Sequence, residues 1–376
     1  MIYLDNAATT LYKPRAVSDA VQRALQQTAG YARGGYAAAE RAGETVYACR
    51  EAAADLFGLG DPARVVFTLN ATHALNLAIH ALARPGMRVA VGGYEHNAVM
   101  RPLALRGIEP IVAASPLWDG AGMVSAVRRA LDEGAALVIL NHVSNVFGYI
   151  APLDEIAALL TERGVPLILD ASQSAGVIPL DVRRYPCLAA VCMPGHKALY
   201  GPPGTGILLA ISDEIAKRPL LAGGTGSVSE QMEQPDFLPD ALESGTPNVT
   251  GIAGLAAGLQ FVRSIGPMQM LAHERPLVQE MARLLENEPR VACFAGGDAQ
   301  AGVLSVRVEG AASETVAEKL AERGVAVRAG LHCAPLAHRT AGTEDTGTIR
   351  FSVSFYTNGR QIERATEILR QTVKNL

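Results

Sequence analysis

Residues 195–210 read GHKALYGPPGTGILLA, which puts a lysine beside a glycine-rich turn. One chemistry of such a pair is nucleotide binding. A phosphate loop needs G-x-x-x-x-G-K-[ST], with the lysine on the outer phosphates and the hydroxyl on magnesium. Gly201 and Gly206 have the glycine spacing, but Ile207 and Leu208 follow, so charge and metal ligand are both missing. The glycines also enter an apolar run, 206–211, that reads as a strand and not as a helix. GPPGTG is therefore expected to be a rigid turn entering a strand. Lys197 is left as the residue with chemistry to do.

Lys197 has company. Polar residues follow five apolar runs: Asn70 and Thr72 after 65–68, Glu95 and His96 after 88–91, Asn141 and Asn145 after 137–140, Asp170 and Gln173 after 166–169, and His196 and Lys197 after 188–192. In open α/β sheets ligands bind at the carboxyl ends of the strands. Helical patterns at 72–83, 125–133 and 153–163 alternate with these runs, and 206–210 adds a sixth. This alternation predicts an α/β fold with a doubly wound, mainly parallel sheet. Residues 229–247, rich in proline and acids, read as a surface excursion. A long apolar helix pattern follows Gly251, and strands at 303–308, 325–328 and 348–353 suggest a smaller α+β unit. The expected organisation is an N-terminal arm (1–14), a large domain (15–255) and a small C-terminal domain (256–376).

Composition narrows the function classes. The 376 residues are 49% hydrophobic and 19% charged, with a net charge of −4. That suits a globular protein with a large core and gives no basic face for nucleic acid. The start, MIYLDNAATT, lacks the basic flank and apolar stretch of a signal peptide, and no apolar run approaches a membrane span. A cytoplasmic location is the expectation. The five cysteines, at 49, 187, 192, 293 and 333, form no C-x-x-C pair, and no H-x-x-x-H spacing occurs. No metal is expected.

Eight short motifs run in order along nearly the whole chain: YLDNAAT (3–9), EHN (95–97), VSNVFG (143–148), DASQ (170–173), GHK (195–197), SGTPN (244–248), RAGLHC (328–333) and GTIR (347–350). Any one is weak; the ordered set is specific. It resembles the fold-type I pyridoxal-phosphate enzymes of the class V aminotransferase group, and within it the group II cysteine desulfurases and selenocysteine lyases.

The resemblance implies a cofactor, pyridoxal 5'-phosphate, a homodimer, and a role for each matching residue. Lys197 would condense with the cofactor aldehyde; its bland alternative is a solvated lysine. Asp170, after the apolar run 165–169, would keep the pyridine nitrogen protonated and make the ring an electron sink; otherwise it caps a turn. Gln173 and Asn145 would hydrogen-bond the phenolic oxygen, Asn145 also meeting substrate. His96 would stack on the ring and is a candidate for proton handling. Ala71 and Thr72, at a predicted helix N-terminus, would hold the phosphate, though Thr72 can equally cap that helix. His196 would add a donor. Thr246 matches a residue that reaches the phosphate of the neighbouring subunit. Pro194 departs from the pattern: relatives commonly place Ser or Thr there, so one phosphate contact is missing or replaced. Arg350, between Ile349 and Phe351, would hold the substrate carboxylate by a bidentate pair.

Cys333 separates the possible reactions. It lies between two strands of the small domain, in glycine-containing surroundings that read as a mobile loop, with Arg328 and His332 nearby to favour its thiolate. The resemblance makes it the nucleophile that takes sulfur from L-cysteine, or selenium from L-selenocysteine, releasing alanine. The sulfur-acceptor protein is not identified. Two alternatives stay open. Cys333 is incidental and the chain is another class V enzyme (an aminotransferase, epimerase or other lyase), or the fold is a non-catalytic sulfur-relay partner.

Overall fold

The computed structural model describes residues 1–31 and 34–376. The N-terminal strand β1 (Ile2–Tyr3) runs parallel to Val325–Ala326, far away in sequence. A seven-stranded sheet then forms from β2 (Val65–Thr68), β3 (Val89–Gly92), β4 (Ile111–Ala113), β5 (Leu137–Asn141), β6 (Leu167–Asp170), β7 (Leu188–Pro194) and β8 (Gly206–Ala210). Its order is β2-β8-β7-β6-β5-β3-β4. Only β8 is inverted, antiparallel to both β2 and β7; the other pairs are parallel.

The apolar runs explain this sheet. Strands β5 to β8 are buried along their whole length, as strands covered on both faces must be. Leu137 and Ile139 pack into one core cluster, with Leu75 and Ile79 of the helix Ala71–Leu82. Val138 and Leu140 pack into the opposite cluster, with Val127 of Gly120–Asp132 and Ile156 of Leu153–Arg163. The period of two thus sends alternate residues to two helical layers. Strand β4 has no counterpart in the sequence reading. It is short, at the sheet edge and only partly buried, so it carries little apolar signal.

GPPGTG is the turn between β7 and β8, as expected. Gly204 takes a left-handed φ of 78°. A Cβ on Gly206 would lie 2.6 Å from Thr68 Oγ1 and 2.7 Å from the Asn70 carbonyl carbon. Glycine there lets β8 pass directly beside the turn that leaves β2.

Residues 229–247 contain no helix or strand. Their end is nonetheless anchored. Glu243 accepts from Arg50, which is buried, and from the Phe67 backbone N–H at 2.6 Å. The apolar pattern after Gly251 is the helix Val249–Ile265, which breaks at Gly266 before Pro267–Leu285. No single helix among the described residues is long and apolar enough to cross a membrane.

A second sheet is antiparallel. It comprises β9 (Val291–Phe294), β10 (Val303–Val308), β12 (Arg328–Gly330) and β13 (Thr348–Ser352), in the order β12-β13-β10-β9. The single strand expected at 325–328 is divided. Its first half, β11 (Val325–Ala326), pairs with β1, and Arg328 turns into the second sheet beside β13. Helices Ser313–Glu322 and Gly359–Lys374 cover this sheet, with Leu320, Ile362 and Leu369 against Leu304, Ile349 and Phe351. The N-terminal arm crosses to it: Asp5 bridges Ser352, and Asn6 Nδ2 donates to the Ser352 carbonyl at 2.9 Å.

Candidate active site

The main sheet's register sets Asn141 beside Asp170 and Asp170 beside Cys192. Just past these ends lies a cavity of about 470 Å3, part of it open to solvent. Ala71, Thr72, His96, Asn145, Asp170, Gln173, His196 and Lys197 all line it. Eight residues expected on one ligand, from five separate segments, are therefore brought together.

One end of the cavity is the start of the helix Ala71–Leu82. Asn70 caps that helix through a 2.9 Å bond from the His73 N–H. Thr72 is thus the second helical residue and not the cap, which leaves its hydroxyl unused by the helix. The first backbone N–H groups of a helix have no internal partner and attract anions. Pro194 also lines the cavity and offers neither hydroxyl nor N–H. Ser172 lines it too and has both, and Asn70 adds a backbone N–H and a side-chain amide; Ser172 was not singled out from the sequence.

Asp170 is buried, and its Oδ1 accepts from the Ser172 N–H at 2.9 Å. Glu95 lies beneath it, with no exposed surface. Burial pushes the Glu95 carboxyl well above its usual range. Its Oε1 accepts from the Asn141 N–H at 2.7 Å. Of the two carboxyl groups, Asp170 is the one that lines the cavity.

His96 caps the helix Asn97–Leu105: its Nδ1 accepts from the Ala98 N–H at 3.0 Å. Burial lowers its pKa, opposed by Asp170 and assisted by Lys197. The ring is therefore neutral, with its proton on Nε2. His196 is held by the N-terminal arm, its Nδ1 3.1 Å from Thr9 Oγ1, while its carbonyl accepts from the Thr10 N–H at 3.2 Å. Burial, with Lys197 and Lys13 adding to it, pushes its pKa down to about 4. Gln173 Nε2 donates to the Ala7 carbonyl at 2.9 Å, so the same arm steadies a third wall residue.

Lys197 follows β7 and is partly open to the cavity, but enough protein surrounds its amine to desolvate it. Burial pushes its pKa down to about 8; Asp170 opposes this, and Arg350 and Arg328 reinforce it. A lysine in that range supplies neutral amine near physiological pH. In protein freed of small molecules, reductive trapping of an added aldehyde on Lys197 should accelerate as pH rises through about 8 and then level off. Mass spectrometry of the modified peptide checks this. A rise delayed to the pH of an ordinary lysine would contradict it.

Arg350 is 1% exposed. Its Nη1 donates to the Asn145 carbonyl at 3.0 Å and its Nη2 to Asp5 Oδ1 at 2.7 Å, while its Nε has no partner among the described residues. Arg328 stands directly across from it in the β12–β13 pairing.

Cys333 is exposed. The turn that carries it is short and anchored through two neighbouring carbonyls. The Cys333 carbonyl accepts from the Asn97 N–H at 2.8 Å, and the His332 carbonyl accepts from Asn145 Nδ2 at 2.9 Å. His332 and Cys333 both take left-handed φ values, 49° and 57°. Such residues cost about 1–3 kcal/mol each and persist where surrounding contacts impose them. His332 does not supply positive charge to the thiol, which corrects the expectation. Its ring is buried, with Nε2 3.1 Å from the Thr348 carbonyl oxygen, and burial pushes its pKa down to about 2.

Asn145 links these parts. Its backbone meets Arg350, its Nδ2 holds the Cys333 turn, and its Oδ1 is buried without a partner among the described residues. Thr246 does not reach the cavity. It lines a separate groove with Leu69, Gly206 and Leu221.

The sequence model of the aminotransferase class-V family matches residues 2–365. A probable cysteine desulfurase from Methanothermobacter thermautotrophicus is 30% identical over 98% of this chain and 94% of its own length. One from Xylella fastidiosa is 32% identical over 97% of this chain and 89% of its own length. The apo structure of a cysteine desulfurase from Thermococcus onnurineus covers 100% of this chain and 95% of its own, at 28% identity and a TM-score of 0.90. A cysteine desulfurase structure from Escherichia coli gives a TM-score of 0.87 at 26% identity, with coverage of 100% and 95%. With motif order, fold and site geometry in agreement, the chain belongs to the class-V aminotransferase family.

Proposed function

We propose that this protein is a pyridoxal 5'-phosphate-dependent cysteine desulfurase that converts L-cysteine to L-alanine and keeps the sulfur as a persulfide on Cys333. The observation that carries this reading is the placement of Cys333. An exposed thiol sits on a turn pinned to Asn97, next to His96, and to Asn145, which also bonds Arg350.

The residues present fit the cofactor. The helix start at Ala71 and Thr72 suits its phosphate. Asp170 suits its pyridine nitrogen, and the orphaned Oδ1 of Asn145 is a buried polar atom that a bound group can satisfy. Lys197, Asn145 and Gln173 line the space between them. When bound, pyridoxal phosphate supplies the electron sink that makes the α-proton of an amino acid removable.

The chain's own residues then have separate tasks. Arg350 binds the substrate carboxylate through N–H groups not spent on Asp5 and Asn145. Lys197 Nζ, whose pKa is about 8, takes the α-proton in its neutral form and returns it to Cα after the sulfur has left. Neutral His96 presents its Nε2–H at the cavity wall. Cys333 Sγ attacks the substrate sulfur: the S–S bond forms, the Cβ–S bond breaks, and its electron pair stays on Cβ, which is protonated to the methyl of alanine. A thiol reductant then releases sulfide and regenerates the cysteine. L-selenocysteine would follow the same path. We assign Thr246 to the phosphate of a partner subunit in a homodimer, and place the enzyme in the cytoplasm with a sulfur-acceptor protein as its partner.

Product analysis tests the reading. L-cysteine with a thiol reductant should give alanine and sulfide in equal amounts. A keto acid or racemised amino acid, with no sulfide, would instead identify a different class V enzyme.

A further inference from the structure

Asp5 lies outside the set of residues expected to do chemistry, yet it makes the only side-chain hydrogen bond and ion pair to Arg350 among the described residues. The bond is 2.7 Å long; the Arg350 side chain is 2% exposed and that of Asp5 22%. The Asn145 carbonyl fixes the other terminal nitrogen. Two anchors on a planar guanidinium leave it no freedom to rotate, and they leave its Nε edge unused. Asp5 is itself fixed, because its backbone bridges Ser352 two residues beyond Arg350. The arm therefore cannot swing away without leaving the second sheet.

Charge gives Asp5 a further consequence. Arg328 faces Arg350 across the sheet and makes no hydrogen bond or ion pair among the described residues. Lys197 feels both guanidinium groups, Asp5 and Asp170; of these, Asp170 belongs to β6 of the main sheet, while Asp5 and Arg328 stand at Arg350 itself. At Arg350, two positive charges and one negative leave a single positive charge for an incoming ligand.

We infer that Asp5 is a positioning residue of the carboxylate subsite: it fixes the Arg350 guanidinium and limits the subsite to a ligand group with one negative charge. The inference rests on the reading of Arg350 as the carboxylate holder, not on the fate of the sulfur.

The test uses holoenzyme and two probes that differ only in their acid group, L-alanine and its phosphonate analogue. A phosphonate carries a second negative charge once its second proton is lost. Calorimetric titration gives both dissociation constants. In Asp5→Asn, which keeps an oxygen for Arg350 Nη2 and removes the charge, the phosphonate should gain on alanine by about tenfold or more. Asp5→Glu, which restores the charge, should return the ratio toward that of the wild type. The wild type alone supplies a test that needs no variant: the phosphonate should lose ground to alanine as pH rises through its second ionisation. Comparing wild type and variants at one pH holds the other cavity groups at the same pH, so the change in ratio reads the Asp5 charge.

An unchanged ratio in Asp5→Asn, or equal weakening of both probes, would overturn the inference and leave Asp5 a merely structural anchor. A wild-type phosphonate that gains with pH would overturn it too. If alanine and phosphonate both fail to bind, the Arg350 reading falls and this inference with it. If they bind with the expected ratios but L-cysteine yields no sulfide, the desulfurase reading falls and the role of Asp5 stands.

Discussion

Serine in place of Cys333 is expected to stop sulfide release from L-cysteine, with a loss of about three orders of magnitude or more. Serine is close in size, and Cys333 is exposed, so stability should change by no more than about 0.5 kcal/mol. A hydroxyl cannot accept sulfur as a persulfide. No other cysteine is placed to substitute. Cys49, Cys187 and Cys192 are buried, and burial pushes each thiol above its usual range. Cys293 belongs to β9, a strand of the second sheet, and burial pushes it up to about 11. Alanine, sulfide and thermal midpoint measured side by side separate a chemical defect from a folding defect. Full sulfide release by a folded Cys333→Ser protein would make the thiol incidental and reopen the other class V reactions.

The parts of this site legible in the sequence are those with local signals. Apolar runs ending in Asn, Asp or Lys mark strand ends, and parallel register then aligns those ends without further information, as it does for Asn141 and Asp170. GPPGTG declares its turn through residues with restricted or permissive backbones. Contacts between distant segments carry no such signal. Asp5 and Arg350 are separated by 345 positions, and nothing in YLDNAAT says which cation it will meet. Ring direction is equally silent. His332 sits beside Cys333 in the chain, yet its imidazole turns inward to Thr348 and is neutral. The tightness of the Cys333 turn is also nonlocal, since its two anchors come from Asn97 and Asn145.

Asp170→Asn should lower turnover by about 10²–10³-fold while leaving the fold intact. Asparagine has nearly the same shape, and its oxygen can still accept the Ser172 N–H. The substitution removes the one carboxyl that lines the cavity; Glu95 does not line it, and burial pushes its carboxyl well above the usual range. The effect on Lys197 makes the cause identifiable. Asp170 is the strongest influence holding the Lys197 pKa up against burial. Without it, the midpoint for aldehyde trapping should move below the wild-type value of about 8. The variant would thus have more neutral amine at pH 7 than the wild type, and still be slow. A shortage of amine cannot then explain the loss, which must come from the missing charge opposite the electron sink. Retained turnover in the variant would remove Asp170 from the chemistry. An unmoved trapping midpoint would show that its carboxylate and the Lys197 amine do not share the cavity in solution.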